Sequence, residues 1–463
     1  MASRKGPSLT SAALPFRPVP GPRGLPLLGN LRAFGRDPLA FFVRLREDFG
    51  DWVTWSLGPK RCMLVSHPEL IAEVISGVEQ CYDVRPISWS FKQIAGDSVL
   101  MSRGEDWRRK RGLVQPVVRP RQVRAYAANM VECSTALTDR WQDGERVDVH
   151  REMTELTQRI ILRTLFGNDL GANVRALGDA MTVAQREISV EARGIGLHLP
   201  SWARTPGRRR LLRAGAILDA EIHRLISARR ADAHSAHTGE DLLDRLLAAR
   251  DDQGRHLTAK EVRDEAMTLW IAGHETTSIA LTWVWYLLST SPSSRAELIE
   301  ELSRVLGGRL PTADDYDRLT WTQCVVKEAL RLYPPAWALI ATARPGATLG
   351  GRAIRAGTLV WCSQWSTHRD PRWFPAPTVF RPQRWAADAP DVVPDHTWFP
   401  FGGGRRTCLG ARFALVEAVL VVATLTQRFV LDCAPGAPAL MTGLLMQPAE
   451  PVHATVRGVD GSR

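Results

Sequence analysis

The stretch Phe401-Gly-Gly-Gly-Arg-Arg-Thr-Cys408-Leu-Gly410 has the residue types to do chemistry at a sulfur. A cysteine that binds iron as a thiolate needs positive surroundings, close approach of the backbone and little side-chain bulk. Three glycines ahead of Cys408 allow a tight loop beside a flat macrocycle. A helix starting near Leu409 would aim its free N–H groups and dipole at the sulfur, lowering its pKa and tempering its donor strength. The alternative is a glycine turn before a helix, with an incidental buried cysteine.

A second cluster, Ala272-Gly273-His274-Glu275-Thr276-Thr277, falls inside a long apolar run. Ionisable groups are costly in apolar surroundings, so their presence there calls for a reason. Glu275 and Thr276 form an acid–alcohol pair able to relay protons through water. Gly273 removes a side chain and leaves room for a small ligand, and a mid-helix threonine can bend the backbone by competing for a carbonyl. The alternative is a satisfied polar cluster without chemistry. His274 is expected to face solvent or an interface.

Two charged pairs complete the candidates. Glu328 and Arg331 stand at i, i+3 and Trp107 and Arg111 at i, i+4, so each pair shares one helix face. Read alone, the first is an ordinary surface pair and the second a basic helix with one tryptophan.

The elements that must position these residues are mostly helical. Thr258-Ala-Lys-Glu261 is a capping box and Pro292 a stop signal, predicting a helix over 258–290. At ~1.5 Å per residue it would run roughly 50 Å, and from Ala266 onward it is apolar on nearly every face, as a buried helix is. Apolar periodicity predicts further helices over 121–141, 209–230, 242–250, 295–306, 321–332 and 411–428. Strand-like runs lie at 52–57 and 62–66, on either side of Gly58-Pro59, and at 353–361. Pro68 opens a short helix, and the proline- and glycine-rich 15–30 runs extended. Residues 1–14 read as a flexible tail without the apolar core of a signal peptide. There is no internal repeat and no linker that divides two domains.

Lysine and arginine total 60 against 49 acids, a net charge of +11 that favours an acidic partner or surface. Basic and acidic residues interleave and no nucleic-acid motif occurs, so nucleic acid is not the expected partner. Seven cysteines, an odd number without a C-x-x-C pair, argue against a disulfide framework or structural zinc and for a reducing cytoplasm. The run 266–288 is apolar enough to suggest a membrane span, but His274 and Glu275 in its middle speak against one.

With these motifs in hand, the chain resembles the cytochrome P-450 family. Phe401, Gly404, Arg406, Cys408 and Gly410 match every fixed position of its F-x-x-G-x-R-x-C-x-G pattern. Ala272–Thr277 looks like its oxygen-activating motif, Glu328/Arg331 like its E-x-x-R and Trp107/Arg111 like its W-x-x-x-R. Pro382-Gln383-Arg384-Trp385 stands where the family has a P-x-R segment, with Gln and Trp in place of the usual Glu and Phe. Pro20-Gly-Pro-Arg-Gly-Leu-Pro is similar to its N-terminal segment.

The resemblance implies a mainly α fold, a single large triangular helical domain with a small β-rich lobe over 15–463. It implies haem b with Cys408 as axial ligand; thiolate donation to the iron favours O–O cleavage. Trp107, Arg111, Arg344, Arg406 and His368 would meet the haem propionates, Phe401 would shield the sulfur, and Gly273 and Gly410 would lie against the cofactor. Glu275 and Thr276 would be catalytic, and Glu328, Arg331 and Arg384 a structural triad.

The implied reaction puts one atom of O2 into a C–H bond and reduces the other to water with two electrons. These would come from a separate acidic ferredoxin or flavodoxin with its reductase, docking on Arg108, Arg109, Lys110, Arg119, Arg121 and Arg124. Candidate pocket residues are Trp89, Phe91, Trp270, Ala272, Thr276, Trp337, Leu339 and Leu444. Their apolar character points to a hydrophobic small molecule such as a terpenoid or fatty acyl chain. Most of the 16 tryptophans are expected to serve core packing instead. The rival readings are a peroxide-using or rearranging haem-thiolate enzyme, disfavoured by the Glu275–Thr276 pair, and a non-enzymatic haem sensor.

Overall fold

Thr258 begins the central element of the fold. Its hydroxyl accepts from the Glu261 amide, the Glu261 carboxylate returns the bond to the Thr258 amide, and the helix Ala259–Ser289 follows for 31 residues. The computed structural model describes residues 19–84, 89–167, 174–193, 199–231, 241–389 and 392–459. The tail expected at 1–14 lies outside them. The described chain forms two compact units, and each is assembled from separated stretches. One comprises 1–85, 338–373 and 394–407, and the other 86–337, 374–393 and 408–463. The absence of a dividing linker in the sequence follows from this: neither unit is continuous.

The larger unit is helical. Along the long helix pack Val149–Phe166, Trp89–Ala95, Pro206–Ala231, Thr320–Leu332 and Ala411–Thr426. Twenty-two of its residues are buried, from Val262 to Leu288, so the nearly uniform apolarity reflects enclosure on most sides. Ala411–Thr426 packs in turn on Pro120–Thr138, and Val174–Arg193 on Pro206–Ala231. A three-stranded antiparallel sheet (Arg146–Asp148, His453–Gly458, Phe429–Cys433) and the pair Leu440–Thr442/Met446–Pro448 complete this unit.

The smaller unit is built on a five-stranded sheet. Its order is Trp52–Leu57, Lys60–Val65, Leu359–Cys362, Leu339–Ala343, Tyr82–Val84, and only Lys60–Val65 with Leu359–Cys362 is a parallel pair. Val65, Ile71, Leu349, Val360 and Phe399 sit in its core. Phe34, Phe41, Phe42, Trp55 and Trp361 form a second aromatic cluster with ring centroids 5.1–6.1 Å apart. These tryptophans are packing residues, as expected.

The helices expected from periodicity form with ends moved by a few residues: Pro120–Thr138, Pro206–Ala231, Leu242–Ala248, Pro292–Leu306, Thr320–Leu332 and Ala411–Thr426. The strand expected over 353–361 is in fact two short pieces, Arg352–Ala353 and Leu359–Cys362, because Gly357 turns the chain at φ 80° between them. Among the described residues no helix is long and apolar enough to cross a membrane.

Candidate active site

In the larger unit the long helix carries one accessible stripe on an otherwise buried rod. Ala272 is exposed and Leu269, Gly273, Glu275 and Thr276 are partly so, while Trp270, Ile271, His274 and Thr277 are buried. Positions 269, 272, 273 and 276 follow the i, i+3, i+4, i+7 rule for one helix face. Leu269 was not among the pocket residues expected from sequence; the spacing from Ala272 and Thr276 would have identified it.

Thr276 Oγ1 donates to Ala272 O at 2.7 Å and Thr277 Oγ1 to Gly273 O at 2.9 Å. The helix nevertheless runs unbroken from Ala259 to Ser289, so the bend that such competition can cause does not interrupt it. Gly273 has a packing role as well: a Cβ there would lie 3.2 Å from Ile161 Cδ1 on the Val149–Phe166 helix.

Glu275 is closely enclosed, and burial pushes its carboxyl up to about 7 against the opposing Gln185 amide. Gln185 Nε2 lies 2.9 Å from Glu275 Oε2, and Gln185 Oε1 lies 3.3 Å from His274 Nε2. Of the two placements expected for His274, solvent and an interface, it takes the second: it is buried against the helix of Gln185, with Nδ1 2.8 Å from Trp270 O, and burial pushes it down to about 4. Gln185 had no sequence signal, since nothing in Val174–Arg193 announces which residue meets the long helix.

Cys408 has exposed surface, yet protein surrounds it closely enough that burial is the main influence on its thiol, upward. The Gly410 amide and the charge of Arg111 act the other way. The lowering expected from the helix terminus is outweighed by burial. The following helix starts at Ala411, with Gly410 as its N-cap. Trp107 is buried and Arg111 partly buried on Gly104–Val114.

An enclosed but accessible sulfur, a cation acting on it, and a stripe of small residues on a buried helix suit a haem bound through a thiolate. A coordinating thiol is deprotonated outright, so iron would overcome the effect of burial.

In the smaller unit Gly404 (φ 60°) is required by its place, since a Cβ would come within 2.7 Å of Ile75 O. Arg406 pairs with Glu79 at 2.6 Å, and Arg344 pairs with Asp83 at 2.5 Å while donating to Glu79 O. Phe401 meets Trp398 edge-on at 6.4 Å. His368 is buried and its Nε2 accepts the Phe399 amide hydrogen at 3.0 Å, so that nitrogen holds backbone.

Glu328 is fully buried in the larger unit and receives Arg331 Nε and Nη2 at 2.9 and 2.8 Å and Arg384 Nε at 3.1 Å. The Arg381 amide and Trp385 Nε1 donate to it as well, at 3.1 and 2.9 Å. The tryptophan that departs from the family pattern thus adds a hydrogen bond.

The other expected residues divide. Phe91, Trp270 and Trp337 are buried and present almost no surface, whereas Trp89, Leu339 and Leu444 remain partly accessible. Trp89 lies under the Arg208 guanidinium, 4.3 Å from its ring centroid, and Trp337 Nε1 donates to Gly443 O. Of the basic run, Lys110 is not a surface charge: it is buried and donates to Asp106, Ser102 and Asp97 O. Arg109 is engaged by Glu261 and Arg124 by Asp314, leaving Arg108, Arg119 and Arg121 as exposed cations without a partner among the described residues.

Comparison with known proteins agrees with this geometry. The cytochrome P450 family model matches residues 19–455. Cyclooctatin synthase of Streptomyces melanosporofaciens is 37% identical over 430 residues, covering 91% of both chains. Cyclooctat-9-en-7-ol 5-monooxygenase of the same organism is 35% identical, covering 92% of this chain and 93% of its own. Protein LUTEIN DEFICIENT 5, chloroplastic, of Arabidopsis thaliana is 31% identical, covering 92% of this chain and 76% of its own.

Proposed function

The chain belongs to the cytochrome P450 family and is a haem-thiolate monooxygenase acting with O2 on a hydrophobic substrate, and from that premise we propose that it hydroxylates a cyclic terpenoid-class molecule. The observation that carries the proposal is the accessible stripe Leu269, Ala272, Gly273 and Thr276 on a buried helix. It offers methyl, methylene and Cα hydrogens and a single hydroxyl, a lining that binds hydrocarbon by burial and supplies little hydrogen bonding. Similarity to a cyclooctat-9-en-7-ol 5-monooxygenase favours this class over a fatty acyl chain.

The cofactor is haem b, with Cys408 as its thiolate ligand and the Gly410 amide and Arg111 supporting the sulfur's charge. By the family resemblance, Trp107, Arg111, Arg344 and Arg406 would be the residues that hold its carboxylates. His368 instead holds Phe399 and so steadies the segment leading to Phe401. Bound there, the haem supplies O2 binding and activation, one oxygen atom passing to substrate and the other to water.

The residues around it handle protons. Thr276 commits its hydroxyl hydrogen to Ala272 O, so its oxygen is left to accept. Glu275, raised to about 7 by burial, can carry a proton near neutral pH and donate it from Oε2. Acid and alcohol therefore take different parts of one relay. Electrons come from an acidic ferredoxin-type partner meeting Arg108, Arg119 and Arg121, and an odd number of cysteines without a C-x-x-C pair suits a cytoplasmic location.

The test is spectroscopic. The reduced, carbon monoxide-treated holoprotein should show the red-shifted Soret band of thiolate ligation, and Cys408→Ala should lose it. Cyclic terpene alcohols, but not fatty acids of similar size, should displace the ferric iron's water and shift the Soret band. A response to fatty acids alone would overturn the substrate assignment, and a wild-type spectrum of histidine ligation would overturn the ligand assignment.

A further inference from the structure

Gln185 lies between two groups whose hydrogen-bonding needs conflict. On one side Nδ1 of His274 is 2.8 Å from Trp270 O. A carbonyl oxygen only accepts, so Nδ1 must carry the hydrogen, and in a neutral imidazole Nε2 is then an acceptor. On the other side stands Glu275 Oε2, which accepts when ionised and can donate when protonated. An amide has one donating and one accepting end, and a half rotation about its last bond exchanges them.

With Gln185 Nε2 toward Glu275 at 2.9 Å, its Oε1 faces His274 Nε2 at 3.3 Å. That orientation serves a carboxylate, but it sets two acceptors against each other unless His274 becomes a buried imidazolium. Turned by half a rotation, Gln185 donates to His274 Nε2 and accepts from Oε2–H of a protonated Glu275. Every group is then satisfied with both titratable residues neutral. The two orientations are thus tied to the two protonation states of Glu275.

We propose that Gln185 is a positioning residue whose amide turns with the protonation state of Glu275, with His274 favouring the orientation that accepts from the neutral acid. When Glu275 releases its proton, Oε2 becomes an acceptor and the amide turns to donate to it. The His274 contact is then lost, which favours reprotonation from solvent and the return of the amide. Only the Glu275 O–H bond breaks and re-forms, and no other reactant is required. The inference rests on the reading of Glu275 as the proton donor of the reaction.

The surroundings leave the three side chains to set this balance. Burial and Gln185 govern Glu275, and burial and Trp270 O govern His274. From the Val149–Phe166 helix come Ile161, against Gly273, and Thr157, which donates to His274 O. The charges of that helix are used elsewhere: Arg159 and Arg163 act on Cys133, and Arg163 pairs with Glu132. On the helix of Gln185, Glu187 pairs with Arg210 and Glu191 with Arg208, while Arg186 is exposed. Glu417 of Ala411–Thr426 lies beside Thr277, and burial pushes its carboxyl well up against the opposing Thr277 hydrogen bond.

The experiment is an infrared titration of the protonated carboxyl stretch of the haem-loaded protein, assigned to Glu275 by its loss in Glu275→Gln. Gln185→Met keeps the volume but removes both ends of the amide, and should move the Glu275 midpoint up by about one pH unit. His274→Phe, or His274→Leu if the ring does not fit, frees the amide to donate and should move it down by about one unit. The His274 substitution should have no effect once Gln185→Met is present. A midpoint unmoved by the His274 change, or moved equally with and without Gln185, overturns the proposal. The catalytic reading fails separately: if Glu275→Gln couples electrons to product as wild type does, Glu275 is not the donor, whatever the titration shows.

Discussion

The indole Nε1 of Trp385 donates to Glu328 Oε2 at 2.9 Å, closing a buried site in which one carboxylate serves two arginines, a backbone amide and a ring. Glu328 is fully buried, and burial would raise its pKa if the Arg331 and Arg384 charges did not hold it below the usual range. The site lies within the larger unit and ties Thr320–Leu332 to the segment 374–385.

Removing the acid strands two guanidinium groups, whereas removing the indole strands only part of one oxygen. Glu328→Ala should cost about 3–5 kcal/mol in denaturant unfolding and reduce haem incorporation. Trp385→Phe, which restores the family's usual residue, should cost about 1 kcal/mol. Equal costs for the two would show that the carboxylate does not organise the site.

The proton delivery proposed for Glu275 and Thr276 would be read out by coupling. Thr276→Ala and Glu275→Gln should keep the wild-type carbon monoxide spectrum while the product formed per electron consumed falls about tenfold or more, the balance appearing as peroxide. Unchanged coupling in both variants would remove the pair from the mechanism.

Glu265, one helical stretch before the active-site motif, is fully buried with Oε1 accepting the Val99 amide at 2.7 Å. Burial pushes it up to about 8, so the folded protein holds a proton there that the unfolded chain has released. Its contribution to stability is full below the ordinary glutamate range and is lost as pH rises through about 8. The expected slope is about −1.4 kcal/mol per pH unit between those limits. Glu265→Gln should flatten it by that amount in unfolding curves taken from pH 5 to 9, and an unchanged slope would rule out this carboxyl as its source.

The exposed cations Arg108, Arg119 and Arg121 should carry the docking of an acidic electron donor. Arg119→Glu with Arg121→Glu should slow the first reduction about tenfold at low salt and much less at high salt. Arg124→Glu, at a residue already paired with Asp314, should have a smaller effect. Identical effects at all positions would argue for a long-range field without a localised dock.

Local patterns carried most of the secondary structure. The Thr258–Glu261 box, the Pro292 stop and the Gly58-Pro59 turn act on neighbouring residues, so sequence and fold agree there. The helices Val149–Phe166 and Val174–Arg193 were not foreseen. Val149–Phe166 is buried on several sides by its partners, which blurs its period, and in Val174–Arg193 charged residues interrupt the apolar face.

Candidate groups were legible where they lie close in the chain: Cys408 in its glycine loop, Glu275 beside Thr276, and Glu328 one turn from Arg331. Spacing sets those relationships before any tertiary contact forms. What only the tertiary structure decided is which distant group answers each one. Gln185 meeting Glu275, Trp385 completing Glu328, and the Glu79 and Asp83 partners of Arg406 and Arg344 are such cases. Most of these are packing outcomes over long sequence separations. The free energy of burying or pairing a charge depends on what surrounds it in space, and no local pattern encodes that.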